Sequence, residues 1–150
     1  MAQILLLNGP NLGLLGEREP DLYGTDTLGD IEARLTKRAG DLGLTMKCKQ
    51  SDAEHELIAA VHDARRDCQF ILFNPGAFTH TSIALRDALS AVRIPFIELH
   101  LSNVAAREPF RRRSYFSDIA VGTISGFGTT SYDLGLLAAA DHLERSGGGQ

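Results

Sequence analysis

Short apolar runs alternate with amphipathic stretches along the chain. Ile4 to Leu7, Leu44 to Lys49, Phe70 to Phe73, Phe96 to Leu99 and Ile119 to Ile124 have strand length and are separated by turn-forming residues. Thr27 with Asp30 three residues on is a helix start, Ile31 and Leu35 supply its buried stripe at i, i+4, and Gly40 and Gly43 end it. Ser51-Asp52-Ala53-Glu54 reads as a capping box that opens a second helix with Leu57, Ile58 and Val61 inward. A third helix is expected from about Thr81, carrying Ile83, Leu85 and Leu89. A last one runs from Tyr132 to Glu144 with Leu134, Leu137 and Ala138 inward, and residues 146–150 read as a disordered Gly-rich tail.

Five strands separated by helices predict a parallel sheet with both faces covered, because parallel neighbours need a crossover and the crossover helices fill both sides. The expected architecture is α/β, three layers, a flavodoxin-like doubly wound five-stranded sheet of order 2-1-3-4-5, with residues 1–150 forming one domain. Ligands of such sheets bind outside the carboxyl ends of the strands at the switch point, here between strands 1 and 3. The segments after Asn8, Asn74 and His100 are therefore where function should lie. Two of the loops concerned, Gly9 to Asp26 and Ser102 to Ser117, are long for a compact domain, which also marks them as functional.

Composition narrows the classes. The chain has 150 residues, 43% of them hydrophobic and 23% charged, enough for a folded core. A net charge of −4 repels a phosphate backbone and disfavours nucleic acid as a partner. Cys48 and Cys68 stand without metal-ligand spacing or a disulfide framework, so no metal and a reducing cytoplasm are expected. The run Ile4 to Leu7 is too short for a membrane span or a signal segment. Only Lys37, Lys47 and Lys49 are lysines, so the cationic chemistry falls to arginine, whose planar fork clamps anions.

The strand-end segments hold the reactive side chains. Arg18 and Tyr23 share the first loop, and a phenol that titrates near ~10 becomes a base at neutral pH only if a cation such as Arg18 stabilises its phenolate. The alternative is a surface arginine and a tyrosine that packs the loop. His100 ends the fourth strand, where it can protonate a leaving group or hold a substrate hydroxyl, and His80 follows the third. His55, His62 and His142 fall on predicted helices and read as structural. Asn8 and Asn103 taken singly read as turn formers, but the set Asn8, Asn11, Arg18, Tyr23, Asn74, His80, Glu98, His100, Ser102 and Asn103 reads as a site. Among Arg107 and Arg111-Arg112-Arg113, one or two can point inward to clamp a carboxylate, and the rest read as solvated or subunit-facing. Gly126-Phe127-Gly128-Thr129-Thr130-Ser131 approaches a dinucleotide fingerprint but has Ser131 at the third glycine and no later strand for a ribose-binding acid. It reads as a helix start without phosphate. Neither a Walker A motif nor H-E-x-x-H occurs.

The run from Leu7 through Asn8-Gly9-Pro10-Asn11-Leu12-Gly13-Leu14-Leu15-Gly16-Glu17-Arg18 to Tyr23-Gly24 resembles the signature of the type II 3-dehydroquinate dehydratases. So do Asn74-Pro75-Gly76-Ala77-Phe78-Thr79-His80-Thr81-Ser82, Ala84-Leu85-Arg86-Asp87-Ala88, Glu98-Leu99-His100-Leu101-Ser102-Asn103, Arg107-Glu108 and Phe110-Arg111, in order and spacing to about Leu143. The resemblance implies a hydro-lyase that needs no cofactor and acts on 3-dehydroquinate in the third step of the shikimate pathway, by anti elimination through an enolate. It implies Tyr23 as the base, Arg18 beside its phenolate, Asn11 at the enolate oxygen through a water, and His100 as the acid oriented by Glu98. It further implies Asn74, His80, Leu101, Ser102 and Arg111 at the substrate, and Asp87 reaching a neighbouring subunit's site in a homododecamer built of trimers. The sequence departs from the family pattern at Gly13, Asp52 and Ala105, none of them a proposed catalytic group. An imine route to the same product needs a lysine at the site, and Lys37, Lys47 and Lys49 fall elsewhere. The competing class is a non-catalytic flavodoxin-like ligand-binding module. A phosphoacceptor version would want an acid ending strand 3, where Asn74 stands, and a flavin-binding version would be yellow.

Overall fold

The computed structural model describes residues 1–17, 21 and 25–148. Five parallel strands, β1 (Gln3–Asn8), β2 (Thr45–Gln50), β3 (Phe70–Asn74), β4 (Phe96–His100) and β5 (Gly122–Ser125), form one sheet in the order β2-β1-β3-β4-β5. This is the flavodoxin-like order. Among the described residues, α1 (Leu28–Asp41), α2 (Glu54–Asp63) and α3 (Ile83–Val92) connect successive strands from β1 to β4, and α4 (Thr130–Gly148) follows β5.

The two-residue period of a strand divides the apolar runs between two cores. Ile4 and Leu6 of β1, Phe70 and Leu72 of β3, and Ile97 and Leu99 of β4 point to one face, where α1 and α4 contribute Ile31, Leu35, Tyr132, Leu136 and Ala139. Leu5, Leu7, Ile71, Phe73 and Phe96 point to the other, where α2 and α3 contribute Leu57, Val61, Leu85 and Leu89. Both faces are covered, so β1 and β3 read as continuous apolar runs.

Thr27 caps α1 as expected: its side chain accepts from the Asp30 backbone N–H at 3.1 Å while Asp30 accepts from the Thr27 N–H at 3.1 Å. Gly40, however, lies inside α1, which runs on to Asp41; Gly43, at φ 76°, follows its end. The Ser51 capping box does not form. Helix α2 starts at Glu54 with Ala53 at its N-cap, because Glu54 instead accepts from the Ser82 hydroxyl at 2.5 Å, while Ser51 donates to Glu56 at 2.6 Å. Ser82 also caps α3 by accepting from the Leu85 N–H, so one hydroxyl joins the starts of two helices. On α3 Leu85 and Leu89 are buried, whereas Ile83 is exposed.

Two further expectations are corrected. The fifth strand is Gly122–Ser125 rather than 119–124, because Ile119 and Ala120 donate their N–H groups to Phe116 O in a turn and pack on the α2/α3 core. Helix α4 buries Tyr132, Leu136 and Ala139 and leaves Leu134, Leu137 and Ala138 outward. Its apolar middle fits several phases, and Gly135 favours this one: a Cβ there would lie 2.9 Å from Leu99 Cδ2 and 3.4 Å from Leu72 Cδ2, so a larger residue would have to displace the Leu99 side chain. The helix also continues through the residues expected to be disordered, as far as Gly148. Urea unfolding tests the α4 phase and the α1 cap. Leu136→Ala is expected to cost about 2–5 kcal/mol and Thr27→Ala about 1 kcal/mol; a Leu136→Ala loss below that of Thr27→Ala would contradict the packing.

Candidate active site

The carboxyl ends of β1, β3 and β4 open into a cleft of 160 Å³ lined by Asn11, Asn74, His80, His100, Leu101, Ser102, Arg107 and Arg111. Larger surface concavities exist, such as one of 370 Å³ between β5 and α4, but they lie away from these strand ends. The switch point itself is tightly built. Gly9 donates its N–H to Asn74 O at 2.8 Å, and a Cβ on Gly9 would fall 2.5 Å from Pro75 O, so the chains leaving β1 and β3 cross in contact only because residue 9 is glycine.

Glu98 and His100 are two residues apart on β4 and therefore share a face. Glu98 is 1% exposed, and its Oε2 lies 2.6 Å from His100 Nε2. Thr79 donates to Oε2 at 2.5 Å, Ser117 donates to Oε1 at 2.6 Å, and the Ser114 hydroxyl sits 2.8 and 2.9 Å from the two oxygens. Burial by itself would raise this carboxyl, but the hydrogen bonds and charge of His100, with Ser117 and Thr79, outweigh it and hold the pKa at about 2. The carboxylate is thus ionised and engages one imidazole nitrogen. Nδ1 of His100 is the nitrogen left for the cleft.

His80 donates from Nδ1 to Arg113 O at 2.7 Å, since a carbonyl can only accept. The same contact, with Tyr115 N–H to Thr79 O at 2.8 Å, ties the loop after β4 to the loop after β3. Asn11 sits at φ 69°, held by its N–H to Asp52 Oδ1 at 2.9 Å, and Gln50 braces Asp52 and Gly9 O at 3.2 and 3.1 Å. Of the arginine run, Arg111 lines the cleft, whereas Arg112 and Arg113 are exposed and Arg113 stacks on the Tyr115 ring at 5.0 Å. Arg107 also lines the cleft and donates to the Ser102 hydroxyl at 3.3 Å. Two arginines and two histidines around hydroxyl and amide groups suit a small anion bearing hydroxyls.

Asn11, Asn74, His80, His100, Leu101, Ser102 and Arg111 thus come together, with Glu98 directly behind His100. Arg18 and Tyr23 lie outside the described residues. Asp87 is exposed on α3 and does not line this cleft. Sequence reasoning missed the partners of Glu98: Thr79, Ser114 and Ser117 come from two separate loops, and nothing local pairs them with the carboxylate. Asp52 was noticed only as a departure from a pattern. None of the three lysines lines the cleft, and burial pushes the Cys48 thiol up to about 11, which makes it a poor nucleophile. The Gly126 motif engages its N–H groups internally: Gly126 donates to His100 O, Gly128 to Leu101 O and Phe127 to Ser131 Oγ, so it buttresses the turn after β4. Among the described residues there is no group of three or more His, Cys, Asp or Glu placed to hold a metal ion, and no helix long and apolar enough to cross a membrane.

An open parallel sheet wound on both sides, with its cleft at the switch point, places the protein among the doubly wound α/β proteins whose sites form at strand carboxyl ends. Within that class the chain belongs to the dehydroquinase class II family, whose model matches residues 2–140. It is 63% identical over 143 residues to the 3-dehydroquinate dehydratase of Edwardsiella ictaluri, covering 95% of this chain and 96% of that one. The 3-dehydroquinate dehydratase of Alkalilimnicola ehrlichii is 59% identical over 151 residues, covering 100% and 99%. The crystal structure of the type II dehydroquinase from Propionibacterium acnes superposes with a TM-score of 0.90 at 45% identity, covering 94% of this chain and 97% of that one.

Glu98 carries a testable pH signature. A carboxyl lowered from 4.5 to about 2 stabilises the fold fully above its unfolded pKa and loses that contribution as pH falls toward 2. The stability difference between the natural protein and Glu98→Gln, followed by urea unfolding, is expected to narrow between pH 4.5 and 2; a constant difference over that range would show that the buried group is not ionised. Glu98→Ala, which strands His100 and three hydroxyls, is expected to cost about 3–5 kcal/mol.

Proposed function

We propose that this protein is a 3-dehydroquinate dehydratase, a hydro-lyase that converts 3-dehydroquinate into 3-dehydroshikimate by anti elimination through an enolate. The observation that carries the reading is the His100–Glu98 couple at the edge of a cationic cleft, in a chain of the dehydroquinase class II family. The buried, ionised carboxylate holds the ring through Nε2, which supports His100 Nδ1 as the group that delivers a proton to the C1 hydroxyl and releases it as water. Tyr23, as phenolate beside Arg18, takes the C2 proton, and the electrons of that C–H bond pass through the enolate to expel the hydroxyl. Asn11 acts at the enolate oxygen, where a fixed dipole is worth most. Asn74, His80, the Leu101-Ser102 segment and Arg111 hold the carboxylate and hydroxyls of the substrate.

No lysine faces the cleft, which favours the enolate over an imine. We assign the enzyme to the shikimate pathway in the cytoplasm, with no cofactor, and to a homododecamer of trimers. Asp87, exposed on α3 and away from its own cleft, is available to reach a neighbour's site in that assembly. Purified protein given 3-dehydroquinate should produce a conjugated enone seen as rising ultraviolet absorbance, and no rise with authentic substrate would sink the proposal. Activity should survive borohydride added with substrate. Tyr23→Phe is expected to lower kcat by about 100- to 10,000-fold with the fold retained; a fully active variant would mean that another group is the base.

A further inference from the structure

Tyr132 lies 0% exposed at the start of α4, outside the cleft, yet its hydroxyl contacts the ends of both central strands. Asn8 and Asn74 are Cα partners in the β1–β3 register, and each follows by two residues an apolar residue of the α1/α4 face, Leu6 and Leu72. The two amides therefore point to the side where Tyr132 sits. Tyr132 donates to Asn8 Oδ1 at 2.5 Å and accepts from Asn74 Nδ2 at 3.0 Å, while Asn74 Oδ1 accepts from the Gly76 N–H at 3.2 Å.

The direction of this chain follows from its fixed end. Gly76 N–H can only donate, so Asn74 must present its oxygen there and its NH₂ to Tyr132. The phenol oxygen then accepts, and its own proton goes to Asn8 Oδ1. Reversing Asn8 would aim a second donor at Tyr132 and leave the phenol proton without an acceptor. That explains why Asn8 Nδ2 is buried without a hydrogen-bond partner among the described residues: the amide is kept as an acceptor at the cost of an idle N–H. Burial also raises the Tyr132 pKa, so the group stays a protonated donor.

We propose that Tyr132 is a positioning residue for substrate recognition: its buried hydroxyl, with Gly76 N–H, fixes the Asn74 amide so that its second N–H, and not its carbonyl, serves the cleft. This rests on the reading of Asn74 as a substrate-binding group. The amide thus meets the substrate as a donor, suited to a carboxylate or a hydroxyl oxygen, and helix α4, which contributes nothing to the cleft wall, acts on recognition through one phenol.

The test is a cycle of Tyr132→Phe, Asn74→Ala and the double variant in the full chain, with Asn8→Ala acting on the same hydroxyl from its acceptor side. Steady-state constants for 3-dehydroquinate are measured at a temperature where circular dichroism shows the variants folded. Loss of one orienting hydrogen bond is expected to raise KM about 2- to 12-fold with kcat nearly unchanged. The double variant should be no worse than Asn74→Ala alone, and Asn8→Ala should raise KM in the same direction. A purely structural tyrosine would lower the melting temperature and leave KM where it was. If Asn74→Ala raises KM while Tyr132→Phe, or Asn8→Ala should Tyr132→Phe not fold, leaves it unchanged, the positioning role is wrong and the reading of Asn74 stands. Multiplicative effects in the double variant overturn the role in the same way, and an unchanged KM in Asn74→Ala overturns both.

Discussion

The Glu98 carboxylate sits where an isolated charge could not. At 1% exposure it has lost almost all water, and it stays ionised only because His100 and the hydroxyls of Thr79, Ser114 and Ser117 replace that water. Much of the cleft follows from this requirement. The loops after β3 and β4 must both reach the same two oxygens, so they are drawn together, and the His80 contact with Arg113 O and the Tyr115 contact with Thr79 O lie along that seam. One imidazole nitrogen is thereby engaged, and His100 lines the cleft. A single set of contacts thus holds the His100 ring and the wall of the cleft together.

The opposite side of the sheet is built by the same logic with neutral groups. Asn8, Asn74 and Tyr132 form a directed chain that ends on Gly76, with one idle N–H on Asn8. Strand period alone places the ionic couple of β4 toward α2 and α3 and the amides of β1 and β3 toward α1 and α4. The cleft thus lies between a charged anchor and an uncharged one, joined at the close crossing of Gly9 and Pro75. The distal root of the first loop has its own anchor. Arg34 pairs with Asp26 at 3.2 Å and with Asp133 at 3.0 Å, and Thr129 donates to Asp26 at 3.1 Å, so residue 26 is held by both α1 and the start of α4.

Much of this was legible from the chain. The runs of β1, β3 and β4 stand out because a strand buried on both faces must be apolar throughout, and the Thr27 cap stands out because both of its partners lie within one turn. Failures came where the deciding contact was distant in sequence. Glu54 is three residues from a good box partner, Ser51, yet it bonds Ser82, 28 residues away. The phase of α4 is ambiguous across its apolar middle until Gly135 meets Leu72 and Leu99. The start of β5 was set too early because Ile119 and Ala120 are apolar for the sake of a core they reach from a turn.

The site divides along the same line. Asn11, Asn74, His80, Glu98, His100, Ser102 and Arg111 could be named from residue type, strand-end position and motif, because the sheet's topology sends all strand ends to one edge. Their working state could not. Which imidazole nitrogen meets Glu98 and which way the Asn74 amide faces depend on contacts that exist only in the folded chain. The sequence by itself determined the alternation of strands and helices, the strand order it favours and the identities of the reactive groups, since each is written in local period and residue chemistry. Only the tertiary structure decided their pairing and direction, since burial and hydrogen-bond geometry exist only once the loops have met.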